Sequence, residues 1–243
     1  MFIIKPYIFN QFPQITAAVS TIIGLEREAP YYFNLSFNVK DDEDRVLENR
    51  NLFFEKLGFE ENEIAFQNQI HSDIIKVVDS AGNSGEGDAL ITSKKNLLLV
   101  LTIADCTPVM IYDSGNQVIA AVHSGWRGAN KKILENTLRL MRNEFNTKGA
   151  DLMVYLGPSI SQINYQVGEE VANLFDQKYI LNSSGKTFLD VASVNYDMLI
   201  DFGVKRNNIQ RSFLCTYQMK DIFHSYRRDG NKSGRSLAVI GIK

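Results

Sequence analysis

The chain has 243 residues, of which 44% are hydrophobic and 22% charged, and its formal net charge at pH 7 is −2. That composition belongs to an ordinary globular protein and excludes a disordered or fibrous chain. The near-neutral balance gives no global drive toward nucleic acid or an anionic membrane, and the longest apolar run, Leu97 to Ala104, is far too short to span a bilayer.

The first segment, MFIIKPYIFNQF, has an early apolar trio but no basic start, no long apolar stretch and no small-residue cleavage site. It reads as an edge strand, and the protein is expected in the cytoplasm. Ile15–Ile23 reads as a strand. Glu43–Leu57 reads as a helix, because Val46, Leu47, Arg50, Phe53, Phe54 and Leu57 fall on one face and Gly58 stands where a helix commonly ends. The acidic run before it suits a helix N-terminus. Leu97–Ile103, Val109–Tyr112 and Val118–His123 are short, apolar and β-branched, as strands are. Asp113-Ser114-Gly115-Asn116 is a turn sequence, so Val109–His123 is expected to form a hairpin. Further on come a helix over Lys131–Phe145, a strand over Leu152–Leu156, shorter helices over Glu169–Tyr179 and Val194–Phe202, and a last strand over Leu237–Ile242. No repeat and no Pro/Gly/Ser linker interrupts the chain. The expectation is one domain over residues 1–243, an α/β (α+β) fold with a mixed sheet flanked by helices.

Thiol and imidazole side chains are scarce, so a site that needs them must draw on five residues plus carboxylates. There are two cysteines, Cys106 and Cys215, and three histidines, His71, His123 and His224. So few cysteines exclude a disulfide framework. Cys106 and His123 each end an apolar strand where polar loop residues begin, and the expected hairpin would bring them to its open end, since antiparallel neighbours lie roughly 4.5–5.5 Å apart at Cβ. With His71 brought in by the tertiary fold, one thiolate and two imidazoles suit zinc, and three protein ligands leave a coordination position open, as catalytic sites do. Spacing alone leaves the ordinary alternative open, in which each is a buried strand-end residue. Cys215, after Phe213-Leu214, reads as core. His224 either lines a pocket or packs against its aromatic neighbours. Asp105 either orients a ligand imidazole or caps a helix.

Read together, IHSD, ADCTPVMIYD and AAVHSGWRG resemble the signature of the YfiH-like family, once named the multicopper polyphenol oxidase or laccase-domain family. The resemblance extends in order through Asn34–Val39, Gly87–Thr92, Leu156–Ile160, Tyr165–Gly168, Cys215-Thr216 and Phe223–Gly230. It implies a YfiH-like fold and puts the metal ligands on His71, Cys106 and His123. Ser72 stands where the family usually has Gly, and Gln166 where many members have Glu.

The resemblance implies three activities as expectations: phenol oxidation, purine nucleoside chemistry and correction of peptidoglycan composition. A trinuclear copper centre needs many histidines, so three histidines without a His-x-His pair nearly exclude a true multicopper laccase, leaving weak phenol oxidation by a single copper. The leading expectation is a zinc-dependent purine nucleoside enzyme. It would split adenosine, inosine, guanosine and methylthioadenosine with phosphate, and would also deaminate adenosine, since a metal that activates water can direct it onto C6. Its partners would be nucleoside and phosphate, with no nucleic acid or membrane. Phosphate calls for guanidinium groups, and Arg127, Arg227 and Arg228 are the candidates, with Arg127 counted beside Cys106 and His123 as catalytic. Asn38 and Asp88, in matched segments, are further expected substrate contacts. The rival reading is a cysteine hydrolase with Cys106 as nucleophile and His123 as base. His71 discriminates: a metal needs it and the dyad does not.

Overall fold

The computed structural model describes residues 1–243. Two mixed six-stranded sheets lie face to face. Across the first the order is Ile3–Ile4, Ile15–Ser20, Ser236–Ile242, Leu97–Ile103, Ile64–Asn68 and Gly82–Glu86. Across the second it is Ile209–Arg211, Leu152–Leu156, Thr107–Asp113, Val118–Ser124, Ala89–Thr92 and Ile75–Val77. A small three-stranded sheet (Gln166–Val167, Lys186–Leu189 and Ile180–Ser183) stands apart.

The long central strands read as unbroken apolar runs because both of their faces are buried. Leu99, Leu101 and Ile103 point between the sheets, where they meet Met110, Tyr112 and Ile119. Leu98 and Val100, on the other face, pack with Phe53, Phe54 and Leu57 of the helix Glu43–Leu57. The outer face of the second sheet carries Val109, Ile111, Ala120 and Val122, which pack on Leu134, Leu138 and Met141 of the helix Ile133–Phe145 and on Leu199 of the helix Val191–Phe202. The layers therefore run helix, sheet, sheet, helices. No helix is long and apolar enough to cross a membrane.

Glu43–Leu57 forms with the expected bounds: the Asp42 side chain accepts from Arg45 N at one end, and Gly58 takes φ 74 at the other. The hairpin also forms, closed by Asp113 Oδ1 accepting from the main-chain N–H groups of Gly115 and Asn116. Other expectations need correction. The N-terminal strand is only Ile3–Ile4. Helix over Glu169–Tyr179 stops at Ala172 and resumes only as a 3-10 turn at Gln177–Tyr179. Val191–Phe202 starts three residues earlier than its apolar pattern suggests, because Asp190 accepts from Ser193 N and caps it.

The chain passes between the two large sheets at a short link. Leu97–Ile103 belongs to the first sheet and Thr107–Asp113 to the second, so Ala104-Asp105-Cys106 carries the chain from one to the other.

Candidate metal centre

Three pieces of chain meet at this crossing. Cys106 sits just before Thr107, whose ladder partner is Ser124, while His123 faces Pro108. The open end of the hairpin therefore places thiol and imidazole together. His71 arrives on the loop after Ile64–Asn68, and Gln69 steers that loop. Where the ladder to Leu97–Ile103 gives out, the Gln69 amide continues it, donating to Thr102 O at 2.9 Å and accepting from Thr102 N at 2.6 Å. One ligand atom from each of His71, Cys106 and His123 lies within 4.8 Å of the others. The two imidazole rings meet edge to face, with centroids 4.9 Å apart. His71 is exposed, Cys106 half-buried and His123 buried, so the cluster opens to solvent on the His71 side.

Asp88 organises two of the three. Its carboxylate is completely buried and lies beside His123 because Ala89 pairs with Val122 in the neighbouring ladder. Oδ1 accepts from His123 Nδ1 at 2.8 Å and from His71 N at 3.1 Å. Oδ2 accepts from Ser72 N at 2.6 Å, Ser72 Oγ at 2.7 Å and Ile70 N at 3.3 Å. His71 has φ 58, a left-handed conformation that a non-glycine residue adopts at a cost, and this fan of N–H bonds to one carboxylate offsets it. Burial alone would push the Asp88 carboxyl up, but the bonds from His123 and Ser72 hold it below the ordinary carboxylate range. The structure thus gives Asp88 a different place from the substrate contact expected of it: its oxygens face the ligands' loop and ring, not the pocket. Ser72 adds two of the bonds to this carboxylate where a glycine would leave only the backbone one.

Electrostatics at Cys106 and His123 are coupled. Burial would raise the Cys106 thiol, yet the His123 and His71 imidazoles beside it bring it well below its ordinary value. Burial would lower His123, yet Cys106 and Asp88 raise it above the usual imidazole range. With Nδ1 engaged by Asp88, the other ring nitrogen of His123 is left for the cluster. A thiolate with two imidazoles, an acidic orienter behind one ring and an open side fit a single transition-metal ion. Gly125 completes the fit: a Cβ there would lie 2.7 Å from Cys106 Sγ and 3.3 Å from His71 Cδ2. Its φ of −78 is ordinary, so space, not a tight turn, requires the glycine.

Beside Cys106, a cavity of about 30 Å³ is lined by Cys106, Asp105, Trp126, Tyr165, Ile160 and Val191, among others; neither His71 nor His123 lines it. Arg127 is exposed, with its guanidinium 4.4 Å above the Trp126 ring. Arg227 lies 4.8 Å over Tyr165 and donates to Gln166 O at 2.6 Å. Gln166 takes part through its main chain and exposes its side chain, so Glu or Gln at this position leaves that bond unchanged. Arg228 is a correction. Its guanidinium donates to Thr216 O, Tyr217 O and Phe223 O and pairs with Asp229, so it ties loops together and is not free for substrate. Asn38 is exposed on a loop fastened to Arg235 through Leu35 N and makes no hydrogen bond to the cluster. Cys215 is core, as expected. His224 is packed and buried, and Asp105 touches neither imidazole. Tyr165 stands out in the sequence only as part of a matched segment; an aromatic beside a ligand loop carries no spacing signal of its own.

Comparison with known proteins shows which family the chain resembles along its length. Residues 16–243 match the family model described as multi-copper polyphenol oxidoreductase laccase. A purine nucleoside phosphorylase of Bacteroides thetaiotaomicron is 34% identical over 96% of this chain and 93% of its own length. One from Clostridium acetobutylicum is 36% identical over 85% of this chain and 86% of its own. Among solved structures, a hypothetical protein YfiH of Bacillus licheniformis superposes with a TM-score of 0.89 at 29% identity, covering 97% of this chain and 94% of that one. YlmD of Geobacillus stearothermophilus gives 0.88 at 27% identity, covering 96% and 93%.

Proposed function

The chain belongs to the multi-copper polyphenol oxidoreductase laccase family, the YfiH-like proteins, and from that premise we propose that residues 1–243 act as one catalytic domain that splits purine nucleosides with phosphate. The substrates in this reading are adenosine, inosine, guanosine and methylthioadenosine, and adenosine is also deaminated to inosine. The observation that carries it is the convergence of one thiolate and two imidazoles on an open side, in a chain whose relatives are named purine nucleoside phosphorylases.

His71, Cys106 and His123 would hold the ion. Zinc is favoured by the mixed sulfur and nitrogen donors, with copper as a competitor that such donors also bind. When bound, the ion supplies Lewis acidity toward an oxygen of substrate or water. In phosphorolysis a phosphate oxygen forms a bond to C1′ of the ribose as the bond from C1′ to N9 breaks. The electron pair leaves with the base, which takes up a proton, and the sugar departs as its 1-phosphate. Arg127 and Arg227 supply positive charge for the entering anion. Arg127 stacks over Trp126 and Arg227 over Tyr165, and both of these rings line the same cavity. Trp126 and Tyr165 provide aromatic surface for a base.

A second reading has one specific observation in its favour. Cys106, His123 and Asp88 form the nucleophile, base and orienter of a cysteine hydrolase, with the His123 to Asp88 bond at 2.8 Å. His71 has no part in it.

The test is a nucleoside panel on zinc-loaded protein with and without phosphate, with free base and sugar 1-phosphate as the products measured. Base release that requires phosphate and is abolished by a chelator supports the proposal. No base release from any nucleoside at saturating phosphate overturns it.

A further inference from the structure

The residue before Cys106 is a junction in its own right. Asp105 is buried and has φ 91, left-handed for a residue other than glycine. Its Oδ1 accepts from Thr216 Oγ1 and its Oδ2 from Arg227 N, both at 2.7 Å. Its main-chain oxygen accepts from Ile160 N at 2.9 Å. Three distant pieces of chain are thus fastened one residue away from the candidate ligand Cys106.

The two neighbouring arginines on the short helix Tyr226–Asp229 differ in kind. Arg228 is neutralised by Asp229. Arg227 is held in place without being neutralised: its main chain by Asp105, its guanidinium by Gln166 O and the face of Tyr165. None of the ion pairs of the chain involves it. Tyr165 in turn lines the cavity that Asp105 and Cys106 line. A guanidinium fixed in direction, with its charge unanswered, is suited to an oxyanion that it can meet in two-point geometry.

We propose that Arg227 is the phosphate anchor of the site and that Asp105 is its positioning residue, fixing the arginine relative to Cys106. The choice of phosphate rests on the proposed phosphorolysis. Asp105 itself does not touch the anion, since both of its oxygens are engaged by protein donors.

Asp105→Gly removes the carboxylate at a position whose φ glycine accepts freely. It should raise the KM for phosphate roughly tenfold, the size expected for losing one hydrogen bond to a charged group, and leave kcat, nucleoside KM and zinc content unchanged. Asp105→Asn should restore most of the loss, because its amide oxygen can accept from Arg227 N while its amide nitrogen donates to Thr216 Oγ1. On an Arg227→Ala background, Asp105→Gly should add nothing to the phosphate KM, since the two changes act in series. Should Asp105→Gly prove insoluble, Thr216→Val loosens the same carboxylate from its other side and should raise the phosphate KM in the same direction.

Loss of zinc in Asp105→Gly, or an equal loss of kcat, would overturn the proposal by showing that Asp105 acts through Cys106. An unchanged phosphate KM would overturn it as well. If the wild-type protein splits no nucleoside, the phosphorolysis reading falls, and calorimetric titration of zinc-loaded protein with inorganic phosphate decides the inference separately. Binding weakened roughly tenfold by Asp105→Gly upholds it; equal binding, or none by either protein, overturns it.

Discussion

His123 donates from Nδ1 to Asp88 Oδ1 at 2.8 Å, and the same carboxylate gathers the main-chain N–H groups of Ile70, His71 and Ser72. One buried acid therefore sets the direction of one candidate ligand ring and the backbone of the other. Asp88→Ala should weaken zinc binding about 10–100-fold, as loss of a partner behind a ligand imidazole commonly does. Asp88→Asn can satisfy His123 or the backbone fan but not both, and should fall between. Competition with a chelator of known affinity measures this, and wild-type affinity in Asp88→Ala would show that the rings are held by packing alone.

Gly125 predicts a steric effect on the same cluster. A methyl group there would overlap Cys106 Sγ, and overpacking of this kind costs about 1–3 kcal/mol. Gly125→Ala should therefore fold, melt slightly lower and bind zinc more weakly. Unaltered metal binding would place Sγ elsewhere in the loaded protein.

Arg127 separates the two proposed reactions. A charge-assisted hydrogen bond contributes about 1.5–3 kcal/mol, so Arg127→Ala should slow phosphorolysis at limiting phosphate at least about tenfold. Adenosine deamination needs only water and should change much less. Arg127→Lys should recover part, because the charge returns without the planar fork. Equal loss of both reactions would assign Arg127 to pocket shape through its stacking on Trp126.

His224 gives a pH dependence away from the metal cluster. Burial pushes its pKa down to about 3, and the nearby Arg235 and Arg228 charges add to this. Its Nε2 has no hydrogen-bond partner and faces Gly234. Because the folded pKa is depressed, the unfolded chain binds the proton more readily. This contribution to stability is complete above the ordinary imidazole value and declines as pH falls from about 6.5 toward 3, by up to about 1.4 kcal/mol per pH unit. Urea unfolding of chelator-treated protein between about pH 6.5 and 4.5 should show a steeper loss in wild type than in His224→Asn, a window that stays above most carboxylate titrations. Parallel slopes would mean that His224 opens to solvent.

Much of the fold was legible in the sequence where one physical signal dominated. The helix Glu43–Leu57 had an apolar face, an acidic start and a closing glycine, and it formed with those bounds. The hairpin was legible because Asp113 to Asn116 is a turn between two apolar runs, and it carried the meeting of Cys106 with His123 with it. Edge strands such as Gly82–Glu86 were not legible, because polar and glycine-rich segments give no period and join a sheet only when tertiary packing offers them a partner. The Asp88 fan was hidden for the same reason: besides the His123 ring and the Ser72 hydroxyl, its partners are main-chain groups sixteen to eighteen residues away, and sequence shows side chains, not where N–H groups point. Arg227 and Arg228 looked alike in sequence and differ only because Asp229 and three carbonyls occupy one of them.

The most direct measurement is elemental analysis of purified wild-type and His71→Ala protein, paired with phosphorolysis on the same samples. Zinc is expected in the wild type, most of it gone from His71→Ala with a folded protein remaining, and phosphorolysis lost in proportion. His71→Ala that keeps its full metal and activity would contradict the three-ligand centre.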